Sequence, residues 1–288
     1  MKKTRSLAIG ILTAAAGLLF YCGSFYVKSY LENQQAAARY GAIREVGLEE
    51  EPVSSIKKQD APVVTQESSR KRDGAGNQKA RLPKKETIDS SFGISWKALR
   101  KMNPEIVAWI EVPGADISYP VVQGTDDTYY LHHSFSREKD AFGTIFLGSV
   151  HKKDFQESHC FLYGHNMEGN MMFANLNRYE EKEFWEECPE FYVYTPEKLL
   201  NYRIFSVQQA AALSPGFQYG YELGSKAYQE QLKTLSGNSL YKTEVSLDAE
   251  APMVTLVTCN SSLDEKIRMT VHGILVKEWS QDSPKSLE

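Results

Sequence analysis

Cysteine is scarce in this chain. Four stand among 288 residues, at 22, 160, 188 and 259, with no CxxC pair and no His-rich cluster beside them. A structural zinc site therefore lacks its usual ligand set, and neither a metal nor another cofactor is expected. A strong net charge is missing too: 33 Lys+Arg against 37 Asp+Glu leave −4. The charge is unevenly placed, at +3 over residues 1–27, +2 over 28–90 and −9 over 91–288. Nucleic-acid affinity rests mainly on Lys and Arg neutralising phosphates, so an acidic folded part excludes nucleic acid as a partner. There is no internal repeat. Hydrophobic and charged fractions of 42% and 24% are ordinary and exclude collagen-like, coiled-coil and wholly disordered chains.

Charge is absent altogether from residues 7–27, an apolar run of 21 residues. About 20 residues span a ~30 Å hydrocarbon core, whereas a cleaved signal peptide has an apolar stretch of ~7–15. The Ala triplet at 36–38 is a cleavage candidate placed late, behind the polar residues 32–35. The run reads as an uncleaved transmembrane anchor. Lys2, Lys3 and Arg5 leave residues 1–6 cytoplasmic and the bulk of the chain on the extracellular face. Cys22 lies inside the span, leaving Cys160, Cys188 and Cys259 outside. Three is an odd number, so one thiol is unpaired or bridges to another chain; the bland alternative is an inert buried thiol. Residues 28–90 hold few apolar side chains and read as an extracellular linker, helical around 28–45. Its basic stretch at 70–85 reads as solvated rather than bound to anionic wall polymer or lipid.

The folded domain is placed at 91–288. A short helix at 95–102 ends at Asn103-Pro104. Eight apolar, β-branched and aromatic runs follow, at 106–112, 117–122, 143–147, 160–163, 191–194, 202–207, 252–258 and 269–278, separated by turn residues. They predict a mainly β fold, a barrel or sandwich. Helical patterns at 126–133, 170–187 and 225–235 make it a barrel with helical insertions.

The local signal for chemistry is MVTLVTC at 253–259, a β-branched run that ends in Cys259 before a polar loop. Arg268 opens the next strand nine residues on, so the two strands can pair and bring Arg268 beside Cys259. A guanidinium there favours the thiolate and offers N–H donors to an oxyanion. A nucleophilic cysteine also needs an acid or base within reach. His165 stands at the end of a short strand, after a glycine. His272 shares a strand face with Arg268 and Thr270 and is its rival. His132 and His133 read as packing or surface residues, and His151 and His159 flank a polar loop with no partner in view.

TLVTC at 255–259, YGHNM at 163–167 and Arg268 before MTVHG resemble the three signature pieces of sortases, the membrane-anchored cysteine transpeptidases of Gram-positive bacteria. The likeness runs from about residue 96 to 277. NPEIVAWIEVPG at 103–114, YPVVQGTDDTYYLHHSF at 119–135, FGTIFL at 142–147, MMFANLNRYEEKEFW at 171–185 and FYVYTPEKLLNYRIFSV at 191–207 are similar to class B members. The resemblance implies an eight-stranded β-barrel with N-terminal helices and a long helix before the last strands, which the 225–235 pattern fits. It implies Cys259 as nucleophile, His165 as general acid/base and Arg268 as oxyanion partner. Thr258 is implied as a shaping residue, and Asn166 and Tyr163 as orienting the histidine loop. Two stretches depart from the pattern: residues 148–151 lack the acidic residue that relatives often carry, and Asn260 follows the cysteine. The implied reaction cleaves an NPxTx-like sorting signal after Thr and passes the acyl group to an amine. Its partners would be surface proteins or pilins as donors, and a peptidoglycan precursor (lipid II) or a pilin lysine as acceptor. A papain-like peptidase and a catalytically silent, tethered wall-protein module are the rival readings. The first places its Cys before its His and opens a helix with it; the second has no need of an intact His, Cys and Arg.

Overall fold

The computed structural model describes residues 2–48, 92–167, 169–211, 215–259 and 267–280, with side chains except at 2–16, 19, 20 and 259. Ten strands alternate with four helices: α1 (Lys2–Gly47), α2 (Trp96–Met102), β1 (Ile106–Val112), β2 (Ile117–Val122), β3 (Phe146–Leu147), β4 (His159–Tyr163), β5 (Asn166–Met167), β6 (Met171–Met172), α3 (Lys182–Glu187), β7 (Glu190–Tyr194), β8 (Lys198–Ala211), α4 (Lys226–Gly237), β9 (Met253–Cys259) and β10 (Ile267–Ser280). Eight strands close a barrel in the order β1-β2-β3-β4-β9-β10-β8-β7, with β7 pairing back onto β1. Closure leaves no unpaired edge. The β2–β3 and β4–β9 seams are parallel. β5 and β6 form a separate hairpin.

Strand alternation gives each wall of the barrel two faces. Cys160 and Leu162 of β4, Val254 and Leu256 of β9, and Met269 and Val271 of β10 fill the interior. The intervening residues face outward. At one end of this outer face Met253, Ile274 and Phe205 pack under α4, through Tyr228, Leu232 and Leu235. Those three recur at helical spacing and form the apolar stripe of α4. The Ser225 hydroxyl caps α4 by accepting the Tyr228 N–H at 3.2 Å.

Three expected elements come out smaller. The helix expected at 126–133 is one 3-10 turn, Tyr129–Leu131, because Asp126 Oδ1 captures the N–H groups of Thr128 and Tyr129 at 2.7 and 2.8 Å. The helix expected at 170–187 is divided into β6, a 3-10 stretch over Ala174–Glu180 and α3. Asn170 and Met172 hold positive φ values of 59° and 54° and interrupt right-handed helix there. The strand expected at 143–147 shrinks to Phe146–Leu147.

The C-terminal part of α1 lies on the barrel. Ala36, Tyr40 and Ile43 are buried, Arg39 pairs with Asp140 at 2.7 Å, and the Tyr40 hydroxyl donates to the Gly143 carbonyl. Composition assigned these residues to the linker, because three apolar side chains in a polar run are a sparse signal. Residues 49–90 of that linker, and residue 91, lie outside the described residues. So do most side chains of the anchor expected at 7–27; among the described residues no helix is long and apolar enough to cross a membrane.

Candidate active site

β9 and its two neighbours carry the residues singled out in the sequence. Position 259 ends β9 and pairs directly with Arg268 of β10, a spacing of about 4.5–5.5 Å between Cβ positions. On the other side β4 runs parallel to β9 with Tyr163 opposite Val257, and the Gly164 N–H donates to the Val257 carbonyl at 3.1 Å. His165 lies two residues beyond Tyr163, as Cys259 lies two beyond Val257. Three adjacent chain segments therefore carry His165, Cys259 and Arg268 at one level. Alternation puts position 259 on the outer face, with Val257 and Thr255.

His165 is half-buried, and its orientation is set locally. Its Nε2 donates to the Leu131 carbonyl at 2.8 Å, which leaves Nδ1 as the nitrogen for proton transfer. The His165 carbonyl accepts the Phe173 N–H at 2.9 Å, tying the residue into the β5–β6 hairpin. A Cβ at Gly164 would stand 2.7 Å from Ile145 Cδ1 and 2.8 Å from the Phe173 ring, so only glycine fits just before this histidine. Sequence reasoning noted the glycine but missed its packing role, and missed the Leu131 carbonyl. The Leu131 carbonyl has no side-chain signature, whereas the glycine before His165 was a visible signal. His272, the rival, is fully buried and hydrogen-bonded to Thr255 and Thr270, whereas His165 is half-buried.

Arg268 is half-buried on the outer face and near enough to Tyr163 to draw its hydroxyl's pKa down, against burial, which dominates and pushes it up to about 12. Tyr163 stacks on Phe146 at 5.3 Å and on Phe161 at 6.1 Å, bracing the strand that ends at His165. Asn166 follows the histidine in β5, and its Nδ2 is buried without a hydrogen-bond partner among the described residues. Thr258 is fully buried on the barrel-interior side, opposite to position 259, so its effect on site shape passes through packing.

Cys160 and Cys188 are poor nucleophiles. Cys160 lies on the interior face in register with Val254, five residues from position 259, or about 16 Å along the sheet. Burial pushes its thiol up to about 12. Burial also raises the half-buried Cys188 thiol, with Glu187 adding to it. Both are free thiols, not a disulfide. Among the described residues, His151, Glu157 and Cys160 are the group whose donor atoms could gather an ion. Glu157 Oε2 there already faces His151 Nδ1 at 3.2 Å and the Lys152 N–H at 3.0 Å.

Comparison with known proteins agrees with this geometry. The family model for the sortase domain matches residues 110–276. Sortase B of Listeria monocytogenes is 32% identical over 181 residues, covering 62% of this chain and 72% of the relative. Sortase B of Staphylococcus aureus is 26% identical over 176 residues, with 61% and 72% covered. Among solved structures, Clostridium perfringens sortase B superposes with a TM-score of 0.59 at 32% identity, over 63% of this chain and 99% of that one. A Staphylococcus aureus sortase B–substrate complex does so with a TM-score of 0.59 at 26% identity, over 64% and 85%. A barrel with its cysteine position at a strand end, after the histidine in the chain, and matched across its length by these relatives, belongs to the sortase family of cysteine transpeptidases, class B.

Proposed function

We propose that the chain is a membrane-anchored transpeptidase that cleaves an NPxTx-like C-terminal sorting signal after Thr and transfers the acyl group to an amine. The single observation supporting the assignment of roles is the strand register that pairs Arg268 with position 259 and sets Tyr163, two residues before His165, opposite Val257, two residues before Cys259. The Cys259 thiolate attacks the Thr carbonyl carbon, and a C–S bond forms as the carbonyl oxygen takes up negative charge. Arg268 donates to that oxygen through its guanidinium fork, a contribution of a few kcal/mol when the donor is preorganised. His165, as the imidazolium, gives its proton to the departing amine while the C–N bond breaks. A thioester remains. The acceptor amine, deprotonated by His165, attacks it, forms the new amide and returns the thiolate. The acceptor belongs to a peptidoglycan precursor (lipid II) or is a pilin lysine. The anchor at 7–27 holds the domain at the extracellular face, where surface proteins and pilins carry such signals.

The test uses the full chain in detergent, with and without Cys259→Ala. It is incubated with quenched NPxTx and LPxTx peptides and an amine, and the products are read by mass spectrometry. Cleavage after Thr with an amine-capped product, abolished by Cys259→Ala, is expected. Cleavage that survives the substitution would refute the assignment of the nucleophile. A product that is only the free acid would refute transfer to that amine.

A further inference from the structure

Below Cys259 and Arg268 on the outer face lies a buried polar layer that acyl transfer leaves unused. It consists of His159 from β4, Thr255 from β9, and Thr270 and His272 from β10, all fully or almost fully buried. Between His272 and Gln218 the hydrogen bonds have one consistent direction. The Gln218 carbonyl can only accept, so His159 Nδ1, 2.7 Å away, carries the proton. Burial keeps that ring neutral, and its Nε2 accepts from the Thr255 hydroxyl at 2.7 Å. A hydroxyl has one proton, so Thr255 must accept from His272 Nδ1, also at 2.7 Å. His272 is neutral too, and its Nε2 faces the Thr270 hydroxyl at 3.1 Å, whose one proton is shared with the Gln208 carbonyl at 3.3 Å. Three bonds run one way, from His272 of β10 through Thr255 of β9 and His159 of β4 to residue 218.

Residue 218 belongs to a strap. The turn Pro215–Phe217 and the residues up to 221 come after β8, which ends beside Arg268, at Ala210 and Ala211. They land on β4: Phe217 stacks on Phe161 at 5.7 Å, and Tyr219 meets Phe161 and His151 at 6.4 and 5.3 Å. The Ser158 hydroxyl donates to the Tyr221 carbonyl at 2.8 Å. β10 and β9 separate β8 from β4, and the strap is seated on β4, at the level of His159 and Phe161. A peptide whose carbonyl reaches Cys259 and Arg268 on this face is bounded by the strap on the α4 side. Apolar packing under α4 has no preferred direction, whereas a chain of hydrogen bonds fixes height and register.

We propose that His159 and His272 are positioning residues, whose one-way hydrogen-bond chain fixes the strap 215–221 on β4 as a wall of the groove for the sorting peptide. The positioning role rests on the acyl-transfer reading; the hydrogen-bond chain does not.

The test separates the two. Imidazole nitrogen–proton correlation spectra of the full, 15N-labelled chain in detergent, without substrate, should show both rings neutral with the proton on Nδ1. A proton on Nε2 of either ring would overturn the chain. His159→Leu and His272→Leu should raise KM for the NPxTx peptide about tenfold, the effect of one lost buried hydrogen bond, with kcat within about threefold. His159→Asn keeps a donor for the Gln218 carbonyl and should return KM toward the wild-type value. If the leucine variants fail to fold, the wild-type spectra and His159→Asn still decide the matter, and a KM in His159→Asn raised as far as tenfold overturns the role of the Gln218 bond. A folded His159→Leu with unchanged KM overturns the positioning role. A wild-type chain that cleaves no peptide overturns the acyl-transfer reading and the positioning role, while the spectra judge the chain of bonds by themselves.

Discussion

Gly164→Ala couples packing to the site most directly. A Cβ there would stand 2.7 Å from Ile145 Cδ1, and 2.8 and 2.9 Å from Cδ2 and Cγ of Phe173. Carbon atoms pack at about 3.5–4.0 Å, so both neighbours must retreat by about an ångström. Both are fully buried, and overpacking of this kind costs about 1–3 kcal/mol. In a domain of this size each kcal/mol lowers Tm by about 2–4 °C, so a drop of about 2–12 °C is expected by thermal denaturation. The Phe173 ring cannot retreat without pulling on its own N–H, which holds the His165 carbonyl at 2.9 Å. Misplacing a catalytic group by about 1 Å costs about 10²-fold in rate, so kcat/KM for peptide cleavage should fall by that order. Phe173→Leu removes the clashing ring, and the double variant should recover about 0.5–3 kcal/mol relative to the sum of the two single losses. Wild-type Tm and activity in Gly164→Ala, or losses that simply add in the double variant, would refute the reasoning.

Arg268→Lys keeps the charge and removes the fork of donors, so kcat should fall about 10²-fold in the peptide assay; an unchanged kcat would show that only charge is used there. With iodoacetamide at pH 7, Cys259 should be alkylated well before Cys160, whose buried thiol is pushed up to about 12; peptide mapping that finds Cys160 modified first, in folded protein, would contradict this order. Burial lowers His272 to about 3 and shifts His159 in the same direction, against about 6.5 in an unfolded chain. Between those values the unfolded chain binds more protons, so stability rises with pH and is lost as pH falls from about 6.5, by at most ~1.4 kcal/mol per pH unit for each histidine. Urea midpoints measured from pH 7 to pH 4 should fall accordingly and fall less in His272→Asn; a midpoint indifferent to pH would count against buried neutral rings.

The pairing of Cys259 with Arg268 was legible because it depends only on chain-local quantities: two β-branched runs, a short connection and a strand period of two. The choice between His165 and His272 was not. Alternation correctly places His272 on the face of Arg268, but depth on that face depends on a strap that arrives from residue 218 and on Thr255, 17 residues away. Burial of that kind has no signature in the local pattern. The Leu131 carbonyl is a main-chain atom and could not be marked by residue type. The seat of α1 was faintly visible as Ala36, Tyr40 and Ile43 at helical spacing, a stripe too short to outweigh its polar surroundings. Even TLVTC, the most informative run in the chain, is divided by the sheet it belongs to. Thr255, Val257 and position 259 share the outer face, while Leu256 and Thr258 are buried on the barrel side. A substitution at Thr258 thus acts through packing, and one at Thr255 through the hydrogen bonds of His159 and His272. Only the last residue of the run pairs with Arg268, at the strand end where the proposed reaction needs the nucleophile and the donor to its oxyanion side by side.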